Sequence, residues 1–125
     1  MSEILLVGLG SALGGMARYG AGLFAARFMG LGAFPLATFA VNILGCFLLG
    51  FLGGYFAKNG ADAKLALLAT TGFCGGFTTF STFSRETLAL FANDFYALGI
   101  FYVISSVILG LIAVVAGFWL SNLNV

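Results

Sequence analysis

Of the 125 residues, 62% are hydrophobic and 7% charged, with 19 glycines, 15 phenylalanines, no histidine and a formal net charge of +1. A soluble domain carries about 45–50% apolar and about 25% charged residues, and a chain this short cannot hide so much apolar surface from water. A soluble monomer is therefore excluded, as are a disordered chain and, with five basic residues against four acids, a nucleic-acid binder. The composition specifies an all-α integral membrane protein, read as a single transmembrane domain over 1–125 in contact with membrane lipid.

The few charges and turn residues mark off four apolar spans, at about 4–26, 35–56, 65–91 and 95–120. Each has the roughly 20 residues that a helix needs to cross about 30 Å of hydrocarbon. Met1-Ser2-Glu3 lacks a basic n-region, so the first span does not read as a cleaved signal peptide. This span carries Gly10 and Gly14 at G-x-x-x-G spacing, which lets helix backbones approach, and one cation, Arg18. An unpaired cation at membrane depth is costly, so Arg18 is expected to reach a wet vestibule and raise the anion concentration there.

The connection Arg27-Phe28-Met29-Gly30-Leu31-Gly32 leads into the second span, which holds Cys46, a second glycine pair at Gly50 and Gly54, and one amide, Asn42. Asn42 either bridges helices or offers its N–H donors to a ligand. Lys58 to Lys64 is the only clearly polar loop. Even span number puts Lys58 and Lys64 on one side of the membrane and Arg27 on the other, a bias of one charge. So small a bias allows insertion in either orientation, and a protein inserted both ways can pair with its own inverted copy.

The third span is the informative one. Gly72 and Gly76 form another spaced pair, Cys74 lies between them, and Gly75-Gly76 is followed by Thr78, Thr79, Ser81, Thr82 and Ser84. Adjacent glycines and clustered hydroxyls weaken a helix, and a break at membrane depth survives only where protein or a watery cavity satisfies the freed backbone. Two half-helices would then aim a carbonyl end at one ion and an N–H end at another. The alternative is a continuous helix whose hydroxyls bond their own i−4 carbonyls. Phe77, Phe80 and Phe83 recur at i, i+3, i+6 as a stripe, which is core or lipid contact unless its electropositive ring edges and the interleaved hydroxyls face a small hard anion. The two cysteines read as small buried hydrophobes rather than a disulfide. After the turn at Asn93-Asp94, the fourth span places Tyr102, Ser106 and Gly110 on one face with Ser105 beside them, as a polar track or as interhelical glue. Glu86 is the only acid within a span, and it lies well past the centre. No base or nucleophile is positioned for catalysis, so the protein reads as no enzyme but as a passive conductor of something small.

The run Gly75-Gly76-Phe77-Thr78-Thr79-Phe80-Ser81-Thr82-Phe83-Ser84-Arg85-Glu86 resembles the G-G-x-[ST]-T-F-S-T-F-S-x-E signature of the Fluc (CrcB) fluoride channels. Gly14-Gly15-Met16-Ala17-Arg18-Tyr19 is similar to that family's first-span G-G-x-x-R-[YW], and Val41-Asn42-Ile43-Leu44-Gly45 to its second-span V-N-[LIV]-x-G. The three motifs fall in order across nearly the whole chain. The resemblance implies a dual-topology, antiparallel homodimer in the plasma (inner) membrane, conducting F⁻ passively out of the cell through two pores along the dimer interface. It implies that Phe80, Phe83 and Asn42 line the pore, that Ser81 and Thr82 supply hydroxyls, and that Tyr102 and Ser106 extend the polar track. It implies a structural Na⁺ at the dimer centre, held by the backbone carbonyls of Gly75 and Thr78, and a vestibule at Arg18. Gly110 departs from members with a serine at the end of the track. The alternative is a small dual-topology multidrug exporter, which relies on a glutamate embedded in the first span; here that span has only Glu3 at its edge.

Overall fold

The computed structural model describes residues 2–28, 32–60 and 62–123, and their regular structure is helical throughout. Helices α1 (Glu3–Phe28), α2 (Leu36–Asn59) and α6 (Tyr96–Ser121) are each long and apolar enough to cross a membrane. The segment expected to form the third span is a succession of shorter pieces. Helix α3 (Ala63–Ala66) passes into a π-helical stretch, Leu67–Cys74, and then α4 (Gly75–Phe77). Thr78 and Thr79 are extended, with ψ 159° and 123°, before α5 (Phe80–Ala92) begins. Residues 29–31 of the first connection and 61 of the second lie outside the described residues.

Local chemistry sets these boundaries. Gly60, at φ 68°, ends α2, and Asp62 caps α3 by accepting the Lys64 N–H at 3.2 Å. Thr79 caps α5 through the Thr82 N–H at 3.2 Å. The Asn93-Asp94 turn forms as expected: Asp94 takes φ 65°, a conformation aspartate tolerates, and the Phe95 N–H returns to Leu90 O at 2.8 Å.

The helices pack as two close parallel pairs, and the glycine spacing sets both. Along α1, a Cβ on Gly10 would run into Leu68 O and one on Gly14 into Phe73 O; reciprocally, one on Gly76 would run into Ser11 O. The second pair is α2 with α6, where Gly50 abuts the Val114 carbonyl, Gly54 abuts Ser121, and Gly117 abuts the Phe47 carbonyl. Without a hydrophobic drive between helices in lipid, backbone approach of this kind supplies the packing. Lys58 at the end of α2 donates to the carbonyls of Asn122 and Leu123 just past the end of α6, at 3.5 and 3.4 Å. The tightest apolar cluster joins Phe83, Leu90 and Tyr102, with Phe34 and Phe39 packed against it. Outward faces of α1 and α6 expose Ile4, Leu23, Leu111 and Trp119, surfaces suited to hydrocarbon rather than water. Cys46 and Cys74 are both free.

The glycine contacts give a paired test. Gly50→Ala presses a methyl onto the Val114 backbone, which has no rotamer to yield, and is expected to cost about 1–3 kcal/mol of overpacking. Gly53→Ala, where a Cβ meets nothing within 4 Å, should leave stability unchanged or raise it by up to about 1 kcal/mol through helix propensity. Thermal unfolding in detergent, followed by circular dichroism, should rank the two in that order.

Candidate functional site

The site is built around the interruption at Thr78 and Thr79. An unbroken helix would send the Thr79 N–H to Gly75 O; here it goes to Asn42 Oδ1 at 2.8 Å, while Asn42 Nδ2 donates to Thr79 O at 3.1 Å. One amide side chain on α2 thus satisfies both backbone groups of Thr79, as a neighbouring strand would. Gly45, one turn along α2, leaves room for the Thr78 side chain. Thr78 itself returns its N–H and its hydroxyl to Cys74 O, at 3.0 and 2.9 Å. The i−4 hydroxyl bonding weighed as the alternative to a break therefore occurs, but it closes the first half-helix instead of continuing it.

Both half-helix ends are placed by the interruption. Gly76 O accepts from Arg18 Nε at 3.3 Å, so a cation sits on the carbonyl end of α4, where the helix dipole favours it. Gly75 O has lost the Thr79 N–H to Asn42, and Thr78 O has lost the Thr82 N–H to the Thr79 hydroxyl. These two hard carbonyl oxygens match the donor preference of a small alkali cation. On the other side, Thr79 caps only one of the first-turn N–H groups of α5, leaving an N-terminal end that favours negative charge.

Seven of the sequence-derived residues, Arg18, Asn42, Thr78, Phe80, Thr82, Phe83 and Ser106, line one or other of two cavities that share Thr79, while Gly75, Ser81 and Tyr102 line neither. The first, about 250 Å³, is lined by Asn42, Thr78, Phe80, Phe83 and Ser106 together with Cys46. Its rings lie 5.7 Å apart between centroids, Phe80 being 78% exposed and Phe83 buried. The Ser106 hydroxyl is buried without a hydrogen-bond partner, an arrangement that is costly unless a ligand completes it. Asn42 spends one of its two N–H donors on Thr79 O, which leaves the other. The second cavity, about 230 Å³, is lined by Arg18, Arg85, Thr38, Thr82 and Tyr19, and so brings two guanidinium groups together. Ser81 lies at the exposed start of α5, its hydroxyl 3.4 Å from that of Thr79.

Three placements differ from the sequence expectation. The break separates Phe77 from Phe80, so the three-phenylalanine stripe does not form: Phe77 is buried and stacked on Phe73 at 5.7 Å. Arg18 borders a cavity, but its Nε–H is committed to the break. Tyr102 is wholly buried, and its hydroxyl donates to Glu86 Oε1 at 3.0 Å, while Thr38 donates to Glu86 Oε2 at 3.0 Å. Thr38, Thr79 and Glu86 were not singled out from the sequence as site residues. For Thr79 the signal was present, a threonine three residues before Thr82 where a helix restarts. For Thr38 there was none.

Residues 5–118 match the family model described as CrcB-like protein, Camphor Resistance (CrcB). A protein of Dehalococcoides mccartyi named fluoride-specific ion channel FluC is 45% identical over 124 residues, 98% of this chain and 95% of the relative. A protein of the same name from Bacteroides fragilis is 41% identical over 124 residues, covering 98% of both chains. Another from Rhizobium johnstonii is 44% identical over 118 residues, 94% of each.

Proposed function

The chain belongs to the CrcB-like family, and from that membership we propose that it is a fluoride-selective ion channel working as an antiparallel homodimer in the plasma membrane. It is a multi-pass membrane protein, and its activity is ion conduction rather than catalysis. The observation that carries the pathway is the cavity at Phe80: it is lined by Ser106, whose hydroxyl has no partner, by Asn42 with a spare N–H, by the rings of Phe80 and Phe83 and by Thr79 at the start of α5. That set offers hydrogen-bond donors and weakly positive C–H edges, with no negative group among them, which suits a small hard anion.

Each protomer supplies one such face, and antiparallel pairing gives two pores along the interface. The break of the third span, with α1, α2 and α6, makes four crossings per subunit. Arg18 and Arg85 gather anions at the mouth, Asn42, Ser81 and Thr82 carry them past Phe80 and Phe83, and Ser106 and Tyr102 continue the path. Carbonyls of Gly75 and Thr78 from both subunits would hold a Na⁺, whose charge offsets repulsion between two nearby anion paths and occupies oxygens freed by the break.

Selectivity tests this reading. Purified protein in liposomes, read with fluoride and chloride electrodes, should release fluoride rapidly while chloride efflux stays near the protein-free background. A narrow pore built on weak, size-dependent ring-edge contacts requires that difference. Comparable fluxes of the two halides would overturn it.

A further inference from the structure

The cavity that holds both arginines is larger than passage of fluoride requires. At about 230 Å³ it is several times the roughly 30 Å³ that one water fills, and a bare fluoride ion is no larger than a water. Arg18 reaches it from α1 and Arg85 from α5, with Tyr19, Thr38 and Thr82 also on its wall and no acid among its lining residues. Glu86 follows Arg85 directly, but adjacent helix positions point apart, and its carboxylate lines the separate cavity with Pro35 and Asn93. Arg18 spends Nε on Gly76 O and keeps its terminal N–H donors, while Arg85 spends none of its own among the described residues. Two cations beside one cavity at membrane depth repel each other and are costly until an anion lies between them. A guanidinium also sets its N–H groups in a planar fork that matches two oxygens of one phosphate-type group. Fluoride, a single atom, cannot span two such forks. Arg85 stands at an open position, x, of the S-x-E motif that the third span resembles, so the second fork belongs to this chain and not to the shared signature.

We propose that the cavity between Arg18 and Arg85 is a seat for a phosphate-type oxyanion, which shares its oxygens between the two guanidiniums and, while bound, keeps fluoride from the mouth. Thr82 and Tyr19 offer hydroxyls to the oxygens the arginines leave. The seat lies within reach of one membrane surface. Thr38 stands in the first turn of α2, and Arg85 lies two turns, about 10 Å, before the end of α5. The C-terminal ends of α1 and α5 share one end of the bundle with the start of α2, so a dissolved ion or a lipid headgroup can enter from that end. The block follows from position. Thr79 lines both this cavity and the one at Phe80, so a seated oxyanion lies beside the fluoride path and repels a second anion.

Occupancy of the seat does not depend on the fluoride reading; the block does, and the test separates them. Protein in maltoside detergent free of phospholipid is titrated calorimetrically with sodium phosphate or, at equal ionic strength, sodium chloride. Phosphate should bind saturably and chloride should not. Arg85→Gln should weaken phosphate binding at least about tenfold, the scale of a lost charge-assisted bond. Arg85→Lys should weaken it nearly as much, because it keeps the charge but loses the fork. A soluble short-chain phosphatidic acid identifies the source. Displacing bound phosphate at lower concentration than phosphate itself assigns the seat to a lipid headgroup; needing as much or more assigns it to the free ion. In phosphatidylcholine liposomes, added phosphate should slow fluoride efflux, and half-inhibition should need at least about tenfold more phosphate in Arg85→Gln. Phosphate heats indistinguishable from those of chloride, or an Arg85→Lys protein that binds as the wild type does, would overturn the seat. Saturable binding with unslowed fluoride flux would overturn the block. Wild-type liposomes without fluoride flux would instead overturn the channel reading itself and leave the calorimetric result standing.

Discussion

Asn42→Asp is expected to abolish fluoride efflux, lowering it by at least about a hundredfold in liposomes, with the variant still dimeric by size exclusion. The substitution is nearly isosteric and keeps the acceptor for the Thr79 N–H. What it changes is the second contact: the donor to Thr79 O becomes an oxygen facing an oxygen. A buried carbonyl deprived of its donor costs about 1–3 kcal/mol, and more where a charge faces it. The new carboxylate also borders the cavity with Phe80, Phe83 and Ser106, so it repels an anion there. Asn42→Ser separates the two effects, since it removes the clamp without adding charge and should retain a measurable fraction of the flux. Unchanged efflux in a dimeric Asn42→Asp protein would remove this residue from the pore.

Phe80→Ile should slow fluoride efflux at least tenfold while leaving thermal stability nearly unchanged. Isoleucine keeps the bulk and apolarity of the position but has no electropositive ring edge. Phe80 is the cleaner of the two aromatic tests because its side chain is 78% exposed and carries little packing. Phe83 is buried against Tyr102, with ring centroids 5.0 Å apart, so Phe83→Ile adds a core penalty of about 1–1.5 kcal/mol to any loss of ion contact. Flux should therefore fall in both variants, and the unfolding midpoint only in the second. Full activity in both would return the phenylalanines to a role in packing.

The membrane class, the three long apolar helices and the glycine contacts were legible because each rests on a one-dimensional pattern: hydrocarbon thickness, capping residues or four-residue spacing. Gly10 and Gly14 do meet Gly72 and Gly76, as that spacing suggests. The interruption at Thr78 and Thr79 falls directly after Gly75-Gly76, among the hydroxyls that weaken a helix. Its closure was not legible. Asn42 lies 37 residues from Thr79, and nothing in its neighbours shows that both amide atoms are spent on one peptide unit. The phenylalanine periodicity misled for a related reason, since i, i+3, i+6 counts as a stripe only while the helix is continuous, and two extended residues rotate Phe80 away from Phe77. Glu86 escaped because the value of a carboxylate depends on which hydroxyls approach it, and Thr38 and Tyr102 arrive from two other helices.

The two parallel pairs have a consequence for how the chain is made. Helices that run in the same direction across a membrane cannot be neighbours in sequence, so each pair encloses a span of the other. The Gly10–Gly14 notch of α1 is synthesised 62 positions before its counterpart at Gly76. At roughly 5–20 residues per second, that notch faces lipid for several seconds. The groove of α2 likewise waits for α6, the last helix to leave the ribosome. Neither pair can close as a local hairpin: the first waits for the segment around Gly76 and the second for α6. Truncation before Val114 therefore removes the residues that close the α2 groove, so the end of α6 is part of the packing rather than a tail.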